Sequence, residues 1–225
     1  MAKHHLNKKE VISPRLIIKY HDKNPPNKAT KAALATAVQT SAKIMRAAVW
    51  KMDKVVFFRR DEDYLKAIVN THFRLSTVTD KQRGYYLNKV RMCMLSTSFH
   101  LNTGAYLLDI DNDHRKIAAG EDYSEGFDGT EGYVANFALN TTGPVHIDFS
   151  LAAKYSARGL ARVIIHEATH CYWKTVDVFY SHEDGYNSMT ADQAVTNADS
   201  FAYAALSIEA KALQTHATLE QSGDH

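Results

Sequence analysis

The stretch VIIHEATHCYW, Val163–Trp173, decides how the rest of the chain is read. Leu160, Val163, Ile164 and Ala168 recur at three- and four-residue steps, so residues 156–173 are predicted to form a helix. On a helix, His166 and His170 stand one turn apart on the same face. Two imidazoles presented together can hold one zinc ion, and Glu167 beside them can reach a water on it. His-Glu-x-x-His is the spacing that zinc metallopeptidases use. Such a site needs a third protein ligand and an open position for water. Asp177, His182, Glu183, Asp184, Asp199 and Glu209 all offer suitable atoms downstream, and spacing alone does not choose among them.

Working outward, the flanks settle the fold class. Residues 133–150 read as a hairpin: YVANFAL, then the turn residues Asn140–Pro144, then VHIDFS. In VHIDFS the apolar Val145, Ile147 and Phe149 alternate with polar residues, as in a half-buried strand whose edge could accept an extended peptide. YLLDID at 106–111 is a further strand, and 112–130 a polar loop. Helices are predicted over residues 27–53, 61–72 with Asp61 as cap, 80–100 and 190–213, the last broken near Asn197. Val55–Phe58 reads as a short strand. Pro14, Pro25 and Pro26 mark residues 1–27 as a flexible arm. The expected organisation is this arm, one domain over 28–215, and a tail at 216–225. The fold class is α+β, mainly helical, with a small antiparallel sheet before the His-Glu-x-x-His helix.

Composition narrows the function classes. The chain has 225 residues, 45% of them apolar, and no apolar run long enough to span a bilayer. Two cysteines, Cys93 and Cys171, make no disulfide framework and no Cys-x-x-Cys motif. The net charge of +2 hides a split. Residues 1–60 carry 14 Lys and Arg against 3 Asp and Glu; the remaining 165 carry 13 against 22. The basic part supports an alternative reading, a non-catalytic zinc-containing binding protein whose N-terminal half contacts nucleic acid or an acidic partner. Its basic residues are spread along an amphipathic helix rather than clustered, so nucleic acid is not the expected partner. No signal-peptide pattern opens the sequence, which leads to an expectation of a cytoplasmic protein or one exported by a leaderless route, as a secreted effector or toxin is.

Three ordered motifs carry a resemblance: HEATH at 166–170, TVDVFY at 175–180 and NADSFAY at 197–203. Together they resemble the aspzincin metalloendopeptidases, the deuterolysin-like family that includes the peptidyl-Lys enzymes. The resemblance implies a zincin-like domain and one catalytic zinc ion held by His166, His170 and Asp177. It implies Glu167 as general base, Tyr180 as transition-state donor and Asp199 near the substrate. An alternative makes Asp199 itself the third ligand. The expected activity is a zinc endopeptidase acting on peptides or proteins, with a basic residue favoured on the leaving-group side. The chain also departs from the family pattern. Six residues separate His170 from Asp177, Lys174 and Ser181 replace glycines, and Ala202 replaces a glutamate of the lysine-specific members. Strict lysine specificity is therefore not implied.

Overall fold

The computed structural model describes residues 6–58, 62–110, 132–133 and 143–222. Five helices of three turns or more and a mixed sheet make the α+β architecture expected from the sequence. α1 spans Lys28–Phe58, α2 Asp63–Phe73, α3 Asp80–Thr103 and α4 Ala157–Trp173. A short α5, Ala191–Ala194, precedes α6, Ala198–Ala210, and α7 closes the described chain at His216–Ser222. The strands are β1 Lys8–Ser13, β2 Leu16–Tyr20, β3 Ala105–Asp109, β4 Gly132–Tyr133 and β5 Val145–Ile147, in the order β1-β2-β3-β5-β4. β2 and β3 run parallel, as do β3 and β5; the outer pairs are antiparallel. The sheet is therefore mixed rather than wholly antiparallel.

Several expectations are corrected here. Residues 8–20 are not an arm but two strands of the sheet. Leu16, Ile18 and Tyr20 alternate inward, which fastens the segment to the core. Pro14 stands in the turn between the strands, where a missing N–H costs no ladder bond. Val55–Phe58 is the last turn of α1, not a strand, because Val55 lies on the face that α1 already buries. Residues 216–222 are helical, and Leu219 is buried, so the C-terminal part is more than a tail. The β4–β5 pairing is a short form of the expected hairpin; most of its first strand, its turn at 140–142, the 112–130 loop and Asp61 lie outside the described residues. β5 is paired on both sides and all three of its residues are buried, including His146. It cannot offer a free edge to a peptide; among the described strands, the outer one on this side is β4.

α4 is the axis on which the rest is arranged. Ser156 caps it, accepting a hydrogen bond from the Gly159 N–H at 3.0 Å. Its inner side packs on α1 and α3, where the Ser41 and Ser96 hydroxyls reach the Ala161 and Tyr172 carbonyls. Its other side meets α6, which is buried along nearly its whole length. α6 in turn packs on α2, with the Phe73 and Phe201 rings 5.0 Å apart. This burial of α4 is what removes His166, Glu167 and His170 from bulk water while leaving one side open.

Candidate metal centre

His166 and His170 point their Nε2 atoms at each other across 3.1 Å. One oxygen of Asp177, Oδ1, lies 3.0 Å from the first and 3.2 Å from the second. The three atoms thus form a nearly regular triangle. A tetrahedral ion with bonds of ~2.0–2.1 Å has ligand–ligand edges of about 3.3–3.4 Å, so the triangle matches one face of such a polyhedron, drawn slightly inward. Among the described residues this is the group of His, Cys, Asp and Glu side chains close enough to share an ion.

What stands behind each imidazole fixes its tautomer. His170 Nδ1 lies 2.7 Å from the Thr175 carbonyl oxygen, which can only accept, so Nδ1 carries the hydrogen. His166 Nδ1 lies 2.7 Å from Asp199 Oδ1, and the same argument applies to an ionised carboxylate. Both Nε2 atoms then present lone pairs to a carboxylate oxygen. Three acceptors converging on one point require a cation or a proton between them. The proton affinities say the same. Burial alone pushes His166 toward its neutral form, but Asp177 and Asp199 outweigh it and raise its pKa above the ordinary histidine value. Burial opposes the charge of Asp177 too, yet the two histidines hold it well below the usual carboxylate range. The donor set fits a divalent ion of the zinc type: two neutral imidazoles, one carboxylate and a side open to solvent through the half-exposed Asp177.

The Asp177 loop is held by backbone pairing. Val176 forms a parallel bridge to Asn197: its N–H donates to the Thr196 carbonyl and its carbonyl accepts from the Ala198 N–H, at 2.8 and 3.0 Å. Asn197 does not cap its own helix with its side-chain oxygen. That oxygen accepts from the N–H groups of Val178 and Phe179. Val178 and Phe179 pack with Tyr186, Met189 and Ala194 in a small separate cluster. Gly185 belongs here because a Cβ on it would sit 2.2 Å from the Phe179 ring. Asn197 and Thr175 lie inside the NADSFAY and TVDVFY motifs, whose spacing does not reveal these parts. A side chain that shapes a loop by bonding backbone twenty positions away leaves no periodic signal.

The remaining candidates fall away from the triangle or support it. Glu167 is buried next to it, with Oε1 3.9 Å from His166 Nε2. Tyr180 is half-exposed, and its ring lies nearly parallel to the His166 ring, 12° off at 6.0 Å. Asp199, expected on the substrate side, is instead only 2% exposed and sits behind His166. Its Oδ2 accepts the Ser181 N–H at 2.7 Å, so the buried carboxylate bridges the Nδ1 side of His166 and the backbone after Tyr180 and is not one of the three atoms of the triangle. Burial works against the Asp199 charge, and the His166 bond keeps the carboxyl below its usual pKa nonetheless. Glu209 pairs with Arg158 at 2.8 Å, and Glu183 accepts the Tyr180 N–H. His182 stacks on Tyr180 and meets the His216 ring of α7. Cys171, next to His170, turns away and donates to the Gly143 carbonyl.

Comparison with known proteins follows this geometry. Residues 130–205 match the aspzincin family model, described as lysine-specific metallo-endopeptidase. The matched segment contains α4, the Asp177 loop and the first half of α6. The resemblance read from three short motifs therefore holds over the segment that carries all of them. The structure is similar to that of a zinc peptidase from Grifola frondosa, at 17% identity and a TM-score of 0.58, over 82% of this chain and 99% of that one. No curated protein sequence matches.

Proposed function

We propose that the chain is a zinc-dependent metalloendopeptidase. The observation that carries this reading is the triangle of His166 Nε2, His170 Nε2 and Asp177 Oδ1 with Glu167 buried at its side. A zinc ion bound there supplies an acidified water and a Lewis acid for the peptide carbonyl. The chain's own groups do the rest. Asp199 and the Thr175 carbonyl keep both Nε2 lone pairs turned inward. Glu167 takes the proton of the attacking water and returns it to the leaving amine. Tyr180 donates its hydroxyl hydrogen to the developing oxyanion. Burial and the negative charges of Asp177 and Glu167 push the Tyr180 phenol well above its ordinary pKa, which keeps the donor protonated at any working pH.

A preference for a basic residue on the leaving-group side is the finer part of the proposal. Asp199 is buried behind His166, so it would add charge to the site rather than meet the substrate directly. Support comes from the acidic balance of the chain beyond residue 60 and from the exposed Glu183 and Asp184 after Tyr180. Digestion of a denatured protein mixture, followed by sequencing of the new N-termini, tests both levels. Cleavage that stops with a chelator and returns with zinc is the expected result. Glu167→Gln should keep zinc and lose at least ~10²-fold in rate. Undiminished cleavage by Glu167→Gln removes the mechanism. New N-termini without enrichment in Lys or Arg remove the finer part and leave the peptidase.

A further inference from the structure

The peptidase reading leaves the basic first quarter of the chain unused, and the structure gathers part of it on one face. The solvent side of α3 carries Tyr85, Met92, Leu95 and Phe99, at steps of seven, three and four residues. Over ~14 residues this stripe runs about 21 Å. Beside it, the solvent side of α1 carries Trp50 and Phe57. Among the described residues, six of the ten large apolar side chains that stand exposed lie on these two helices. Trp50, Phe57, Tyr85 and Phe99 are each more than half exposed, at 56, 61, 66 and 61%. Arg91 joins the two rows. Its guanidinium lies over the Phe57 ring at 4.5 Å and reaches the Met92 sulfur at 3.4 Å.

The charge of these two helices is mainly positive, with Lys31, Lys43 and Lys51 paired to Glu10, Glu209 and Glu62 from neighbouring elements. α1 and α3 together hold ten Lys and Arg and two Asp. Of the two, Asp53 is paired with Arg91, and Asp80 stands at the far N-terminus of α3. The Lys54 ammonium rests on the Trp50 ring at 3.6 Å, an amphipathic pair with an apolar body and a charged tip. A second copy of the chain would bring like charges together, which disfavours self-pairing. Aromatic and aliphatic groups at one level, with cations able to extend past them, are the composition of a surface that lies in a bilayer interface. No described helix is long and apolar enough to cross a membrane, so the contact would be peripheral. α4 stands between this face and the metal triangle, because its Ala161 and Tyr172 side meets α1 and α3 while His166 and His170 face the Asp177 loop.

We propose that the outward face of α1 and α3 docks on an anionic lipid surface. Trp50, Phe57, Met92 and Phe99 enter the boundary between headgroups and acyl chains, and Arg46 and Lys54 reach the phosphates. Docked this way, the chain turns its metal centre toward water and toward soluble or membrane-anchored peptide chains.

Sedimentation of the full chain with vesicles tests this. One set is phosphatidylcholine alone; the other includes about 30% phosphatidylserine. Binding to the anionic set, a blue shift of tryptophan emission, and loss of binding between ~0.1 M and ~0.5 M salt are expected. Trp50→Ser with Phe99→Ser, and separately Arg46→Glu with Lys54→Glu, should each weaken binding at least ~10-fold. These positions are exposed, and thermal melts show whether the variants fold. The proposal is overturned if the folded wild-type chain ignores anionic vesicles or if both double variants bind as well as it does. It is also overturned by a dimer that Trp50→Ser with Phe99→Ser disperses, which assigns the face to a second copy. Binding of a glutamate-rich amphipathic helical peptide without vesicle binding assigns it to an acidic protein partner instead.

Discussion

Asp199 shows how a single carboxylate can be placed for one of three tasks that its sequence position does not separate. Lying near the triangle of His166, His170 and Asp177, it could ligate, receive substrate or orient a ligand. The structure assigns orientation, because Oδ1 meets the Nδ1 side of His166 and Oδ2 the Ser181 N–H. Its charge raises the basicity of the imidazole, and its geometry aims Nε2. Asp199→Asn should keep most of the aim and lose the charge; Asp199→Ala loses both. Zinc affinity measured by chelator competition is expected to fall in that order, by ~10–100-fold for the alanine. Equal affinities for Asp199→Ala and wild type would show that His166 is held from elsewhere. The residue types at 166, 167, 170, 177, 180 and 199 were all legible in the sequence. Which ring nitrogen each acid would face was not, since helical spacing reports a shared face and not a depth along it.

At the scale of elements, α4 ends at a position where this chain departs from the pattern of the family it resembles. Lys174 adopts φ 60°, the left-handed conformation that glycine takes at small cost. Its N–H still closes the helix on the His170 carbonyl at 3.1 Å, one residue before Thr175 begins to shape the metal centre. A lysine here keeps the geometry at a cost in strain. Lys174→Gly is expected to raise the denaturant midpoint, by up to about 1 kcal/mol of stability, and to leave zinc affinity unchanged. Lys174→Val should lower the midpoint, because a β-branched side chain tolerates positive φ least. A destabilised glycine variant would mean that the lysine side chain contributes contacts larger than the strain. Other elements were misread for physical reasons. Val55–Phe58 has strand-forming residues, but a helix already packed on α3 continues through them. In residues 8–20 Pro14 argues against a regular element, but it falls in the turn, and the alternating LIIKY after it forms the inner strand. β5 looked half-exposed because His146 is polar, yet it is buried between two neighbours.

At the scale of the whole molecule, distant parts are joined through buried polar groups that no local pattern announces. His72 of α2 is buried, with Nδ1 2.9 Å from the Tyr186 hydroxyl and Nε2 3.2 Å from the Ser207 hydroxyl of α6. Tyr186 lies beyond the Asp177 loop, and Arg74 holds its backbone carbonyl at 2.8 Å. His72 thus ties α2, the loop that carries Asp177 and Tyr180, and α6 into one body. Burial, helped by the positive charge of Arg74, lowers its pKa to about 3, while Asp199 acts weakly the other way. In the unfolded chain a histidine titrates near ~6.5. Between these values the unfolded state binds a proton that the folded state refuses, so stability falls as the pH drops. The contribution is fully present above ~6.5 and is lost progressively toward 3, amounting to on the order of 5 kcal/mol. The loss begins at higher pH than that from the depressed carboxylates, which starts only near ~3.9, where unfolded aspartates protonate. Denaturant midpoints of the metal-free protein, taken from about pH 6, where the raised pKa of His166 no longer opposes the loss, down to about pH 4.5, should fall more steeply for wild type than for His72→Gln. Glutamine stays neutral and can still bond a hydroxyl, so its profile should lack nearly one proton of slope. Parallel profiles would mean that some other group carries the acid sensitivity and that His72 is not what couples the metal loop to the core.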